Sequence, residues 1–236
     1  MSGPATLPSP NDGKKLIIEA NGEKYARYPL KTPLVTDRHD IVSVVSDAVA
    51  PHLQDDDVVV VSEKIVAISQ GRAFPVNQIS PSSWARLLSR FVSKPPWGIG
   101  IGSPETMELA IREAGLWRLL CAGALAFVPR LLGIKGLFYI IAGKNIGAID
   151  GPTPYTIPPY NKYAKLPPKE PEKVARQLAR ALSGVGVVII DANDLGQKIL
   201  GASNSVDRKL IRKVFTDNPL GQASEQTPVA IVRKVV

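Results

Sequence analysis

Apolar and polar positions recur along the chain in two rhythms, one near two residues and one near three to four. Lys15–Glu19 and Tyr25–Tyr28 flank Asn21-Gly22, a pairing that predicts a two-residue β-hairpin. Ile41, Val44, Val45 and Val49 form one stripe of a helix from about Asp40, which Pro51 ends. The four valines of Val58–Ser62 predict a strand buried on both faces. Ser80–Val92 reads as a helix with Trp84, Leu87, Leu88 and Phe91 on its inward face. Ser103-Pro104-Glu105 opens another, which runs to about Ala114 and stops at Gly115. Leu119–Ala142 predicts two buried elements joined by a basic turn, the second a strand over Leu137–Ile141. Gly151–Pro171 carries seven prolines and reads as irregular. Pro171–Leu182 is an amphipathic helix, Val185–Ile190 a buried strand ending at Asp191, Ser205–Phe215 a helix, and Val229–Val232 a last strand. Helices and strands mix without strict βαβ alternation, so the fold class expected is α+β or irregular mixed α/β.

Composition narrows this picture. The chain has 236 residues, 44% hydrophobic, enough for one large core or two small ones. A disordered tail protein, a collagen and a disulfide scaffold are excluded. Cys121 is the single cysteine, so neither an internal disulfide nor a cysteine-rich zinc site can form. His39 and His52 are the two histidines, leaving carboxylates, lysines, hydroxyls and backbone amides for any chemistry. The net charge of +8 admits a polyanionic partner, but the basic residues are scattered, and nucleic acid is an unlikely one. Residues 1–13 read as a flexible tail without the apolar stretch of a signal peptide. Pro129, Arg130, Lys135 and three glycines interrupt Leu119–Ala142, whereas a spanning helix needs roughly 20 apolar residues with few charges. No membrane partner is expected, and the cytoplasm is the expected compartment.

Candidate chemistry gathers at a few points. The run Gly98, Gly100 and Gly102 matches neither common phosphate-loop spacing and reads as a connection. Asp150 follows the apolar run Ile146–Ile149, and Asp191 follows Val187–Ile190. Acids at strand ends sit where α/β proteins place ligands, and a converging pair would suit a hard divalent ion, with Asn193 and Asp194 adding oxygens. The alternative is that each aspartate caps the next turn. Lys64, just after a buried strand, is either a point charge for phosphate or a solvated lysine. Leu220–Pro228 is a polar loop of small residues whose amides could approach a ligand, or an ordinary connection.

Four segments, in order, resemble the coenzyme F420-0:gamma-glutamyl ligase family. They are Thr32-Pro33-Leu34-Val35; Ser62–Arg72 (SEKIVAISQGR); Gly147-Ala148-Ile149-Asp150; and Val187–Asp191 with the loop Gly221–Pro228. The resemblance runs from about Leu30 to Val236. It implies GTP- and Mg²⁺- or Mn²⁺-dependent joining of L-glutamate to a carboxylate acceptor of the F420-0 type. It also implies an α+β fold with two subdomains in an intertwined homodimer, residues 14–236 forming one ligase-like unit. By the same resemblance Asp150 and Asp191 are metal ligands and, with Lys64, catalytic. Thr32, Pro33, Leu34, Val35, Glu63, Lys64, Gln222, Ala223, Ser224 and Glu225 surround the nucleotide. Departures are visible. Ile68 stands where the family has a second lysine, Ala192-Asn193-Asp194-Leu195 replaces a Thr/Ser then Gly-Arg, and Gly151-Pro152-Thr153 replaces a polar pair. A diverged nucleotide-binding homologue and a folate gamma-glutamyl ligase are therefore the alternative functions.

Overall fold

A computed structural model describes residues 6–92, 100–131, 137–143, 146–193, 196–204, 206–221 and 223–235. In chain order the elements are β1 (Ile17–Ala20), β2 (Glu23–Leu30), α1 (Ile41–Val49), β3 (Val58–Ser62), α2 (Glu63–Ser69), β4 (Ala73–Pro75), α3 (Ser83–Leu88), α4 (Pro104–Ala114), α5 (Leu116–Leu131), α6 (Leu137–Ala142), β5 (Tyr163–Lys165), α7 (Pro171–Ala181), β6 (Gly186–Asn193), β7 (Gly196–Ala202), α8 (Arg208–Val214) and β8 (Val229–Val235). The chain divides into two compact units. The first is discontinuous, Met1–Gly71 with Pro168–Val236; the second is the intervening Arg72–Pro167.

The first unit is built on a six-stranded sheet in the order β1-β2-β8-β3-β6-β7, with β3 and β6 parallel and the other pairs antiparallel. The Asn21-Gly22 turn closes β1 onto β2 with φ of 56° and 79°, the left-handed geometry that a two-residue hairpin requires. Successive strand residues point to opposite faces. Val60, Val188, Ile190, Ala230 and Val232 pack with Ile211, Val214 and Phe215 around α8. The alternate residues Val59, Val61, Val187, Ile189 and Ile231 are equally buried, on the face that meets α1, α2 and α7. This double covering is why β3 could be written as an unbroken run of valines.

Two arginines of this unit sit against carboxylates. Arg27 of β2 is fully buried; it donates to Asp217 and to the carbonyls of Lys15 and Val214. Burial pushes the Asp217 carboxyl up, but the Arg27 hydrogen bonds and charge outweigh it and leave the carboxyl below its ordinary value. Arg233 of β8 forms a two-pronged bridge to the buried Asp57, 2.8 Å and 2.7 Å, and lies 5.7 Å from the centre of the Tyr28 ring. The segment expected to be a loose tail is tied down at Asn11, whose amide donates to the Pro219 carbonyl (2.9 Å) and the Thr227 hydroxyl (2.7 Å).

The second unit is mainly helical, with a short β4–β5 ribbon. Ile101, Met107, Leu109, Leu119, Ala122, Ile146 and Ile149 form its core. Ser103 caps α4 as the Ser-Pro-Glu signal led one to expect, and Thr106 completes a reciprocal capping box with it. Three expectations are corrected here. Leu137–Ile141 is helical, within α6, rather than a strand. The Pro-rich segment contains β5, because Tyr163–Lys165 is free of proline and can pair with β4. Finally, Trp84, Leu87 and Phe91 do not face inward. α3 turns its small residues, Ala85 and then Ser89, toward the core, and the large apolar side chains are left exposed. No helix among the described residues is long and apolar enough to cross a membrane.

Candidate functional site

The first unit brings three of the sequence-selected segments together. The chain leaving β2 enters Thr32–Val35, and Thr32 is buried. Thr32 and Gln226 clasp one another: the Thr32 N–H donates to the Gln226 carbonyl (3.3 Å), and the Gln226 side-chain amide donates to the Thr32 carbonyl (2.8 Å). Two residues further on, the Pro228 carbonyl accepts from the Ser62 N–H at 2.8 Å. That contact sits where β3 ends and α2 begins. Ser62 caps α2 by accepting from the Lys64 N–H at 3.3 Å. Thr32–Val35, Glu63–Lys64 and the 221–226 loop therefore share one end of the sheet. Pro33 is exposed, Leu34 and Lys64 are half-buried, and Val35 and Glu63 are buried.

The loop itself is held by internal geometry. Its Glu225 carboxylate accepts from the Ala223 N–H at 2.7 Å, while Ala223 and Ser224 are exposed. Gly221 has φ +76°, and a β-carbon there would lie 2.5 Å from the Glu225 carboxyl carbon. Glycine is thus required twice, by backbone sign and by the carboxylate folded over it. Asn218 donates to the Gly221 carbonyl (3.0 Å), and Thr227 donates to the Leu220 carbonyl (2.9 Å). Gln222 lies outside the described residues, as do Asp194 and Gly98.

The aspartates sit otherwise than expected. Asp191 is inside β6, which continues to Asn193 and returns as β7; Asp191 faces Lys198 in the register. The apolar run stops at Ile190, but the strand does not, because hairpin pairing continues it through half-buried residues. Asp191 shares the face of Val187 and Ile189, since Ala192 packs on the α8 side. In the second unit, Asp150 follows a single 3₁₀ turn, Ile146–Ala148, rather than a strand. It forms an isolated antiparallel bridge with Lys165, with backbone hydrogen bonds of 3.0 Å and 2.9 Å. The exposed Asp150 carboxylate lies 3.3 Å from the ammonium of the buried Lys165. Asp150 and Asp191 belong to different units. Among the described residues no cluster of three or more His, Cys, Asp or Glu side chains could hold a metal ion.

Ile68 is buried on α2 among Ile65, Val66 and Ala67. Residues 63–69 form a helix whose apolar residues pack beneath β3 and β6. Reading from sequence also missed Gln226, Lys165 and β7. Lys165 was hidden in a proline-dense stretch. For β7 a signal existed in Gly201, where any β-carbon would collide with the Pro171 backbone at the start of α7.

Comparison with known proteins bears on these segments directly. The family described as F420-0:Gamma-glutamyl ligase matches residues 29–199, a span containing Thr32–Val35, Glu63–Lys64, Asp150 and Asp191. An uncharacterized protein of Methanocaldococcus jannaschii is 29% identical over 175 residues, covering 70% of this chain and 56% of that relative. The chain thus spans a little over half the length of the curated relative it matches. With the family match extending over most of its length, the chain belongs to the F420-0:gamma-glutamyl ligase family.

Proposed function

We propose that the chain is a GTP-dependent gamma-glutamyl ligase, joining L-glutamate through its amine to a carboxylate of an F420-0-like acceptor. The observation that carries this reading is the clasp between Thr32 and Gln226, with Ser62 against Pro228. It brings the three segments that we assign to the nucleotide to one end of the first unit's sheet. The exposed, small residues Ala223 and Ser224 let a polyphosphate approach the loop backbone. Lys64 supplies a point positive charge beside them. In the reaction, an acceptor carboxylate oxygen attacks the γ-phosphorus and GDP leaves. The glutamate amine then attacks the acyl carbon, loses its proton and expels phosphate.

Asp150 and Asp191 offer hard carboxylate oxygens, the donor type that Mg²⁺ and Mn²⁺ select. When bound, such an ion neutralises charge on the β- and γ-phosphates. Lys165 holds the Asp150 carboxylate in place through its ammonium and its paired backbone. That ion pair also favours a second reading, a nucleotide-binding homologue without ligase activity, because an internal cation already partners the first aspartate. We further infer a homodimer, in keeping with the exposed aromatic Tyr155 and the Tyr160–Tyr163 ring pair.

Calorimetric titration with GTP and ATP, with and without Mn²⁺, followed by glutamate-dependent GDP release in the presence of an acceptor, tests the proposal. The ligase reading expects Mn²⁺-dependent GTP binding, weakened by Lys64→Ala and abolished by Asp150→Asn and by Asp191→Asn, and turnover requiring glutamate. Binding without turnover supports the second reading. No nucleotide binding overturns both.

A further inference from the structure

In the first unit, the two ends of one loop are joined by a side chain far away in sequence. Pro219 opens the segment 219–227 and Thr227 closes it, and both residues are buried. The Asn11 side-chain amide donates to each of them, to the Pro219 carbonyl at 2.9 Å and to the Thr227 hydroxyl at 2.7 Å. The Thr227 hydroxyl in turn donates to the Leu220 carbonyl at 2.9 Å. Asn11, Thr227 and Leu220 thus form a chain of hydrogen bonds that polarise one another.

Asn11 is itself held. Its carbonyl accepts from the Lys14 N–H at 3.0 Å, closing a turn in which Gly13 has a φ of 72°. Arg27 then fixes the residues that follow. Its guanidinium donates to the Lys15 carbonyl, and its backbone N–H donates to the Leu16 carbonyl at 2.8 Å. The stretch that reads as a flexible tail in the sequence therefore carries a firmly seated donor.

The other bonds of the loop do a different job. Gln226 and Pro228 fasten its far end to Thr32 and Ser62. Asn218 and Thr227 bond to carbonyls of the loop itself. Asn11 spans the loop from its first residue to its last and so sets the distance between them. An alanine at position 11 withdraws the donor from two acceptors on buried residues at once, an imbalance that the loop relieves by opening toward water. Between the two ends lie the exposed Ala223 and Ser224, beside which a polyphosphate would approach.

We propose that Asn11 is a positioning residue for nucleotide binding: by tying Pro219 to Thr227 it holds the loop backbone in the geometry that receives a polyphosphate. The inference rests on the nucleotide reading of that loop and adds to it a residue from the opposite end of the chain.

Hydrogen exchange of the segment 219–227 and calorimetric titration with GTP and Mn²⁺ test it on the full chain. Asn11→Ala should speed exchange in that segment and weaken GTP binding by about fivefold to tenfold, as the binding-competent loop becomes the minor population. In turnover the KM for GTP should rise while the KM for glutamate stays near the parent value, a split that a general loss of stability does not produce. Thr227→Val, which removes the hydroxyl, should act in the same way, and Thr227→Ser should restore both readouts. The double variant Asn11→Ala with Thr227→Val should lose less than the product of the two single losses, because both break one chain of bonds. Exchange unchanged by Asn11→Ala would overturn the inference alone. Faster exchange with unchanged GTP affinity would also overturn it, making Asn11 a structural tether and leaving the ligase reading intact. A parent protein that binds no GTP would overturn the nucleotide reading and this inference together.

Discussion

In the first unit, apolar sequence becomes buried surface almost without remainder. Val59, Val60 and Val61 are fully buried, as are Val187 to Ile189 beside them and Val229 to Ile231 on the other side. In the second unit, residues at least as apolar remain exposed along α3, α5 and α6. The difference follows from layering. A sheet covered by helices on both faces consumes every side chain of its central strands. A helix with one packed side consumes only a stripe, and whatever lies opposite faces outward. Apolar density alone therefore does not distinguish a core from a surface prepared for something else.

The sharpest way to break this contrast is a pair of matched truncations. Phe215→Ala in the first unit should cost about 3–5 kcal/mol, as expected for a fully buried aromatic. Phe91→Ala in the second should stay within about 0.5 kcal/mol. Urea unfolding measures both, and equal losses would mean the Phe91 face is covered in solution.

The ion pairs should split in the same direction. Arg233→Met leaves the Asp57 carboxylate buried without its two-pronged partner, a change that typically costs about 3–5 kcal/mol. Arg112→Met in α4 should cost at most about 1 kcal/mol, because Arg112 is half-exposed and the Ser82 N–H still holds Glu108. Thermal melts of the two variants give the comparison. A smaller effect belongs to the loop. Gly221→Ala should cost about 1–2 kcal/mol from the positive φ alone. Pairing it with Glu225→Ala should recover the part due to the collision and leave the rest. Full recovery would place the whole cost in the carboxylate.

The smallest effects concern acid stability. Burial pushes the Glu172 carboxyl up, but the Ala202 N–H and Arg208 outweigh it and hold it below its ordinary value of 4.5. In the second unit burial likewise opposes the lowering at Glu108, where Ser82 and Arg112 prevail. A depressed folded-state value means the contribution is complete above the unfolded-state value and disappears as pH falls through the folded one. Glu172→Gln and Glu108→Gln should each lower the melting temperature modestly at neutrality and converge on the parent below about pH 4.5, so that the acid loss flattens. Unaltered slopes for both would remove these carboxyls from the acid transition.

How much of this was legible in the sequence depended on whether the signal was local. Asn21-Gly22, the valines of β3 and the Ser103 cap each carry their geometry within a few residues, and each was read correctly. The strand β7 was missed because Gly196–Ala202 is half-buried and has no strong alternation; only the close approach of Gly201 to α7 explains it. The orientation of α3 was misread because large side chains were taken as inward, when small ones at Ala85 and Ser89 allow the closer packing. At the candidate site, the segments could be named singly. Their assembly rests on hydrogen bonds between residues nearly two hundred apart, such as Thr32 with Gln226 at a separation of 194, which no window along the chain contains.

The position of β8 has a consequence for the order in which this protein can be made. It lies between β2 and β3, yet it is the last of the strands to be synthesised. Until Val229–Val235 leaves the ribosome, the β1–β2 hairpin has no neighbour, and β3 has one edge open. The second unit, continuous in sequence, can collapse while translation proceeds. The first must wait with its valine-rich edges unpaired, dependent on contacts of very long sequence separation that form slowly. A ribosome stalled anywhere before Val229 therefore holds a nascent chain with its most adhesive edge exposed, a natural client for a chaperone that binds extended apolar segments.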